Sequence, residues 1–273
     1  MTPHKLFFYT AISSSLLVTA SAADFTNGGF ESNTGSSPTG WTIHSGTWAT
    51  GNYSSTFTAT TNTYSTDSAV ITNNTATDSN TYNNLKEVYS GSNSFRLGNS
   101  SSGDHWASAS QILTNYNASS MSFAFAAVLQ NPGHLLTQNP RFVFFVKDQT
   151  IGSYLYNVSV TADANSTDVT WNTGLSNWKY SNWNYVNLNT SSAIGHTVEV
   201  FVGAYDCSLG GHGGYAYIDG FSTTTPATPN EQVNRDIYPI TPDGPHVPEP
   251  STYGLIGLGA LVLAIGNRRR KKA

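Results

Sequence analysis

Three stretches of the chain alternate their side chains with a period of two. In "SMSFAFAAVLQ" (residues 120–130), Met121, Phe123 and Phe125 fall on one side. In "RFVFFVKD" (141–148), Phe142, Phe144 and Val146 oppose Val143 and Phe145. In "TVEVFVGAYD" (197–206), Val198, Val200 and Val202 share a side and Glu199 takes the other. Such short alternating runs, rich in β-branched and aromatic residues, predict strands. The stretches between them (Asn131-Pro132-Gly133, Gly210-Gly211, Asn99 to Gly103) carry turn chemistry. No long segment of residues 24–222 keeps a helical period. The pattern predicts an all-β fold, an antiparallel jelly-roll β-sandwich.

Two regions break the alternation. Residues 50–84 drift to Thr, Asn, Ser and Tyr, with Val70 and Ile71 among their few aliphatic positions. They read as a polar insertion, either a hairpin excursion or a loop. Residues 223–246, "TTTPATPNEQVNRDIYPITPDGPH", are rich in Pro and Thr without periodicity and read as a linker.

Both ends differ from the body. Residues 1–23 have a weakly basic lead (His4, Lys5), an apolar stretch from Leu6 to Thr19, and small residues at Ala20, Ala22 and Ala23. That layout predicts a secretory signal helix cleaved after Ala22 or Ala23. A permanent N-terminal anchor fits less well, because Ser13, Ser14 and Ser15 interrupt a short apolar run. At the other end, "VPEPSTYGLIGLGALVLAIGNRRRKKA" (247–273) joins a Pro-Glu-Pro, an apolar run and five basic residues. As a helix, Tyr253 to Gly266 spans about 21 Å, short of a hydrocarbon core of about 30 Å. Glycines 254, 257, 259 and 266 weaken it further. The basic block holds its far end in the cytoplasm and leaves the body outside. This predicts a short transmembrane helix and a transient membrane stop, with a permanent tail anchor as the alternative.

Charge changes the picture once the ends are set apart. The chain has 12 Lys+Arg and 16 Asp+Glu, net −4. Lys5 and Arg268 to Lys272 take six of the positives and Glu249 one of the acids, which leaves residues 24–246 at net −9. An acidic body excludes nucleic-acid binding by phosphate neutralisation. It leaves carboxylates available for Ca²⁺. The single cysteine, Cys207, forms no intramolecular disulfide, and with no evident base beside it reads as a structural thiol.

The C-terminal stretch resembles a PEP-CTERM sorting signal: Val247-Pro248-Glu249-Pro250-Ser251 as the motif, Tyr253 to Gly266 as the apolar helix, and Arg268, Arg269 and Arg270 opening the basic stop. The resemblance implies a Gram-negative bacterium with an exosortase. That membrane protease would cut near the Pro-Glu-Pro and place the body at the outer surface or in an exopolysaccharide matrix. The body resembles jelly-roll domains of the galactose-binding and carbohydrate-binding-module type in "NGGFESNTGSSPTGWTI" and "YAYIDGFS". Its blocks "GSNSFRLGNSSSGDHWASASQIL", "FAFAAVLQNPGHLLTQNPRFVFFVKD" and "VGAYDCSLGGHGGYAYIDGF" are similar to a module of large secreted adhesin-like proteins of gliding bacteria.

The carbohydrate-binding resemblance implies a structural Ca²⁺ between the first and last strands, held here by Glu31 and Asp219; the alternative is that both are solvated turn residues. Sugar binding itself needs aromatic faces beside amides and acids. "SNWKYSNWNYVNLN" offers Trp178, Tyr180, Trp183 and Tyr185, and Trp106 lies beside Asp104 and His105; burial in the core is the alternative for each tryptophan. Arg96, His134, Arg141, Asp206 and His212 read as a polar network supporting the fold, with no nucleophile elbow and no zinc-type spacing in the chain. The expected function is non-covalent binding or organisation of extracellular polysaccharide or an envelope partner. A structural envelope or adhesin domain without a ligand is the alternative, and a glycan-active enzyme a third reading.

Overall fold

The computed structural model describes residues 24–35, 37–47, 67–163, 168–231 and 233–239. The signal helix, the Pro-Glu-Pro motif (Val247 to Pro250), the apolar helix and Arg268 to Arg270 lie outside the described residues. Among those residues, no helix is long and apolar enough to cross a membrane.

In chain order the strands are β1 (Asn33–Thr34), β2 (Ser37–Pro38), β3 (Thr42–Thr47), β4 (Ala69–Ile71) and β5 (Ser94–Leu97). There follow β6 (His105–Leu113), β7 (Ser120–Gln130), β8 (Arg141–Asp148), β9 (Ser153–Thr161) and β10 (Trp171–Thr173). The last are β11 (Trp178–Ser181), β12 (Trp183–Asn189), β13 (Val198–Tyr205), β14 (Gly214–Ser222) and β15 (Arg235–Pro239). One sheet has five strands in the order β3-β6-β13-β8-β9. The other runs β10-β11-β7-β14-β5-β4, with β12 also on β7 and β15 on β12. β1 and β2 make a small hairpin apart. Consecutive strands cross between the sheets (β6 to β7, β7 to β8, β13 to β14), so the expected antiparallel β-sandwich of jelly-roll type is present. The β12–β15 pair is parallel.

The alternation resolves as it reads. Phe142, Phe144 and Val146 of β8 and Val198, Val200 and Val202 of β13 point between the sheets, against Met121, Phe123 and Phe125 of β7. β7 is buried on its other side as well, where Ala124, Ala126 and Val128 pack with Tyr215 and Tyr217 of β14, and with Leu85, Tyr89, Trp178, Tyr180 and Trp183. Burial on both faces explains why β7 has almost no polar position. Alanines there leave room for a covering segment.

That cover is the stretch around residues 78–89, part of the polar region 50–84 and its continuation. Asp78 caps the 3₁₀ turn Ser79–Thr81 by accepting from the Asn80 N–H at 2.8 Å. Its other oxygen accepts from the hydroxyls of Tyr215 (2.6 Å) and Tyr217 (2.8 Å). The Trp183 indole N–H donates to the Lys86 carbonyl at 2.8 Å. The later part of the predicted insertion is therefore built into the sandwich: β4 pairs with β5. The polar residues are needed because this segment must satisfy phenols and an indole as well as its own backbone.

The predicted linker 223–246 likewise holds more structure than its composition suggests. β15 lies inside it, and Ala227 and Val233 pack on the second cluster. A five-residue ladder along β12 supplies the hydrogen bonds that composition alone does not announce.

At the start of the body, Phe25, Phe30 and Trp41 cluster around Phe221, with Trp41 and Phe221 ring centroids 4.9 Å apart. The Phe221 N–H donates to the Gly28 carbonyl at 3.0 Å. The Thr223 N–H donates to Asp24 Oδ1 at 2.8 Å. The first segment is thus tied to the C-terminal end of β14.

Candidate functional site

The aromatic residues first expected to face a ligand are mostly inside. Trp183 is 0 % exposed, and Trp178 and Tyr180 are buried beside it in the cluster under the 78–89 cover. The two indoles pack against Tyr89, Tyr215 and Tyr217. Tyr185 is half-buried and stacks on Tyr89 at 6.2 Å and 11°. Trp106 is also nearly buried; a Cβ on Gly46, its partner across the β3–β6 pair, would meet the indole at 2.9 Å. These side chains hold the sandwich together, and none of the three buried rings under the cover offers a free face.

The outward face of the five-stranded sheet is different. Strand registers place Thr42 (β3), Ser110 (β6), Phe201 (β13), Phe145 (β8) and Asn157 (β9) in one row across all five strands. Five strands at their usual spacing make such a row about 19 Å long. Phe145 and Phe201 stack at 4.9 Å and 10°. Phe145 is half-buried and covers Phe201, and Tyr154 stands edge-on to Phe145 at 5.5 Å and is 38 % exposed. Lys147 Nζ sits 5.8 Å from the Tyr154 ring centroid. In the neighbouring row Ile112 is 59 % exposed beside Glu199, which accepts from the Gln149 side chain. At the β3–β6 edge the row opens into a groove of about 470 Å³ lined by Asp24, Thr26, Thr42, Ser110, Gln111 and Thr114 among others.

Sequence reasoning passed over this row. Phe201 shares a side with Glu199 and not with the valines, and Phe145 opposes Phe144, so both were visible as outward aromatics. The signal was the hydrophobic residue on the polar side of an alternating strand.

Glu31 and Asp219 do converge, on the two ends of one turn. Asp219 Oδ2 accepts from the N–H groups of Tyr89 (3.1 Å) and Ser90 (2.9 Å), and Oδ1 from Gly220. Glu31 Oε1 accepts from Ser92 (2.8 Å) and Asn93 (3.1 Å). Burial pushes the Asp219 carboxyl well above the usual range, against these hydrogen bonds, and the Glu31 charge pushes the same way. Two carboxylates facing one turn, one of them sealed from water, fit a hard cation: its charge would offset the burial of Asp219.

The expected polar network separates into parts. Arg96 donates to the Gly98 carbonyl at 3.1 Å. Arg141 donates to Ser159 Oγ and to the Leu136 carbonyl, both at 3.0 Å. Asp206 is buried and accepts from the N–H groups of Gly214 (2.9 Å) and His105 (3.3 Å). Burial lifts its carboxyl to about 7, with Asp67 and Asp104 adding to the effect against those two bonds. No His212–Asp206 bond forms. His212 turns instead to His134, the rings edge-to-face at 5.1 Å and 82°. His134 Nδ1 lies 3.4 Å from Cys207 Sγ, so the thiol does have a base beside it. The partner comes from a different loop, 73 residues away, and is invisible to local spacing.

Residues 246–271 match the PEP-CTERM protein-sorting motif. No curated protein matches the chain. Among solved structures, the carbohydrate-binding module TmCBM61 in complex with beta-1,4-galactotriose is similar with TM-score 0.39 and 16 % identity, over 73 % of this chain and 96 % of that one. The K2 cleaved adhesin domain of Lys-gingipain aligns with TM-score 0.36 and 13 % identity, over 74 % and 98 %. The CBM22-1 xylan-binding domain of Xyn10C from Paenibacillus barcinonensis aligns with TM-score 0.31 and 14 % identity, over 75 % and 96 %. Scores and identities this low transfer no ligand. The sorting motif marks an exported protein.

Proposed function

We propose that the protein is delivered to the cell surface through its C-terminal signal and there binds extracellular polysaccharide non-covalently, across the outward face of the five-stranded sheet. The observation that carries this reading is the transverse row Thr42–Ser110–Phe201–Phe145–Asn157. It sets hydroxyls at one end, the half-buried Phe145 ring backed by the buried Phe201 in the middle, and an amide at the other end. A pyranose presents an apolar C–H face and a rim of hydroxyls, and such a row meets both. Tyr154 extends the aromatic part, and the Asp24–Thr26–Thr42–Ser110 groove extends the polar part.

Binding is favoured over hydrolysis by the acids on this face. Glycoside hydrolysis uses two carboxyl groups flanking one bond. Among the described outward strand residues of the sheet, Glu199 is the single carboxylate, and it is engaged by Gln149; Asp24 of the groove is engaged by Thr223 and Thr224. A structural Ca²⁺ held by Glu31 and Asp219 would join the first segment to the last strand and take no part in the binding row. An exosortase-type protease acting near Pro248-Glu249-Pro250 would release or re-attach the body, with the Tyr253 to Gly266 helix held only transiently in the membrane. The site of action is then the outer surface or its matrix.

The test is affinity electrophoresis and a glycan array with the full-length chain and its Phe145→Ala and Tyr154→Ala variants. Each ring removed should weaken binding about tenfold, with far-ultraviolet circular dichroism unchanged. Flat signals for the parent protein across acidic and neutral glycans favour an envelope domain without a sugar ligand. Released reducing ends would point to an enzyme.

A further inference from the structure

His134 sits in the loop between β7 and β8, and Cys207 and His212 in the loop between β13 and β14. The three side chains offer ligand atoms that all lie within 4.8 Å of one another. Cys207 is fully buried, while the two histidines are partly exposed at its outer side. A thiol–imidazole hydrogen bond at 3.4 Å accounts for Cys207 and His134. It leaves His212 unexplained. Its Nδ1 is sealed from solvent and has no hydrogen-bond partner. Buried polar atoms without partners are rare, and a missing ion is one of the few physical reasons for them.

We propose that His134, Cys207 and His212 bind a borderline-soft divalent transition-metal ion of the Zn²⁺ class, which clamps the β7–β8 loop to the β13–β14 loop.

One thiolate and two imidazoles are the donor set such ions select, and a set that Ca²⁺ and Mg²⁺ avoid. The nearest carboxylate in sequence, Asp206, does not join them; it is committed to the N–H groups of Gly214 and His105. In a tetrahedral site, sulfur and nitrogen ligands are separated by about 3.5 Å, which the Cys207–His134 pair already meets. The remaining closure falls on His212. It is flanked by Gly210, Gly211, Gly213 and Gly214, with open space around the first two. That hinge lets the imidazole move inward at small backbone cost.

The surroundings support the sulfur as a ligand. The Leu209 N–H donates to Cys207 Sγ at 3.4 Å, a bond that favours thiolate. The Cys207 N–H donates to the His212 carbonyl (2.8 Å) and the Gly210 N–H to the Cys207 carbonyl (2.9 Å), so the turn holds both ligands in register. The Ser208 N–H donates to the Gln138 carbonyl at 3.1 Å and brings the two loops together. Three protein ligands leave a fourth position for water or an outside donor. The clamp does for this chain what a disulfide cannot, since Cys207 has no cysteine partner.

The experiment titrates the metal-free full-length chain with Co²⁺, a spectroscopic stand-in for Zn²⁺. One equivalent should produce the visible bands of tetrahedral Co²⁺ and a near-ultraviolet thiolate charge-transfer band, both erased by added Zn²⁺. Cys207→Ser should remove the charge-transfer band. His134→Ala and His212→Ala, in partly exposed loops, should weaken binding by about tenfold or more. Bound Zn²⁺ should also slow modification of Cys207 by a thiol reagent in the parent protein, a readout that needs no variant to fold. Overturning results are Co²⁺ spectra of octahedral type, bands that persist in Cys207→Ser, or thiol reactivity indifferent to Zn²⁺. An intense copper–thiolate band on adding Cu²⁺ would support the same site with a different occupant.

Discussion

The carbonyl of Gly28 receives the N–H of Phe221, and the two backbones are so close that a Cβ on Gly28 would stand 1.9 Å from the Phe221 carbonyl oxygen. No side chain fits there. Gly28→Ala should therefore cost about 2–3 kcal/mol by forcing the first segment off β14. Gly29→Ala, whose nearest neighbour would be 3.8 Å away, should be close to neutral. Urea denaturation of the two variants gives the comparison; equal stabilities would contradict the close tie.

Asp78 carries the cover over the second sheet, because one of its oxygens serves both Tyr215 and Tyr217. Asp78→Ala leaves two buried phenols without their acceptor and should cost about 3 kcal/mol. Loosening of the cover should also admit water to Trp183 and shift its fluorescence to the red. Loss of stability with no spectral change would mean that the cover stays seated without Asp78.

A pH dependence follows from Asp148. Burial alone would raise its carboxyl, but His196 at 2.6 Å and the N–H groups of Thr150 and Ile151 bring it below the ordinary 3.8. A folded value lower than the unfolded one means stability that is present above about pH 4 and lost as pH falls through the folded value. Asp148→Asn should be less stable than the parent at pH 7 by about 2 kcal/mol. The gap should narrow on acidification below about pH 4. Denaturation curves at neutral and acid pH check it; a gap that stays constant would remove Asp148 from the acid transition.

The calcium reading predicts a thermal midpoint that depends on the ion. Saturating Ca²⁺ at about a hundred times its Kd adds about 2.7 kcal/mol, or several degrees for a body of this size. A chelator should remove that shift, and Asp219→Asn or Glu31→Gln should abolish the response. A midpoint indifferent to chelator leaves the main-chain N–H groups as the sole partners of these carboxylates.

The rows were legible because a strand writes its two faces alternately: "RFVFFVKD" alone sets Phe142, Phe144 and Val146 apart from Val143 and Phe145, and the packing against β7 shows which row faces the core. The same alternation sets Phe145 with Arg141 and Lys147, and Phe201 with Glu199, on the outward sides of their strands. Trp178 and Trp183 could not be placed from their own strands, because what buries them is the 78–89 segment. That segment reads as a polar loop until Tyr215 and Tyr217 supply partners for Asp78. The His134–Cys207–His212 cluster was beyond local reading for a related reason. Its members lie on two loops that meet only when β7, β8, β13 and β14 are assembled.

β15 gives the tether a mechanical character. Arg235 to Pro239 lie alongside Trp183 to Asn187 in parallel, and β15 is the last described strand before the sorting motif in the sequence. A pull on the C-terminal side directed along the strand loads the ladder bonds together, in shear, where a strand leaving at right angles would lose them one by one. Drag on a surface-held body would thus be resisted first at β12–β15, before the force reaches the sandwich core.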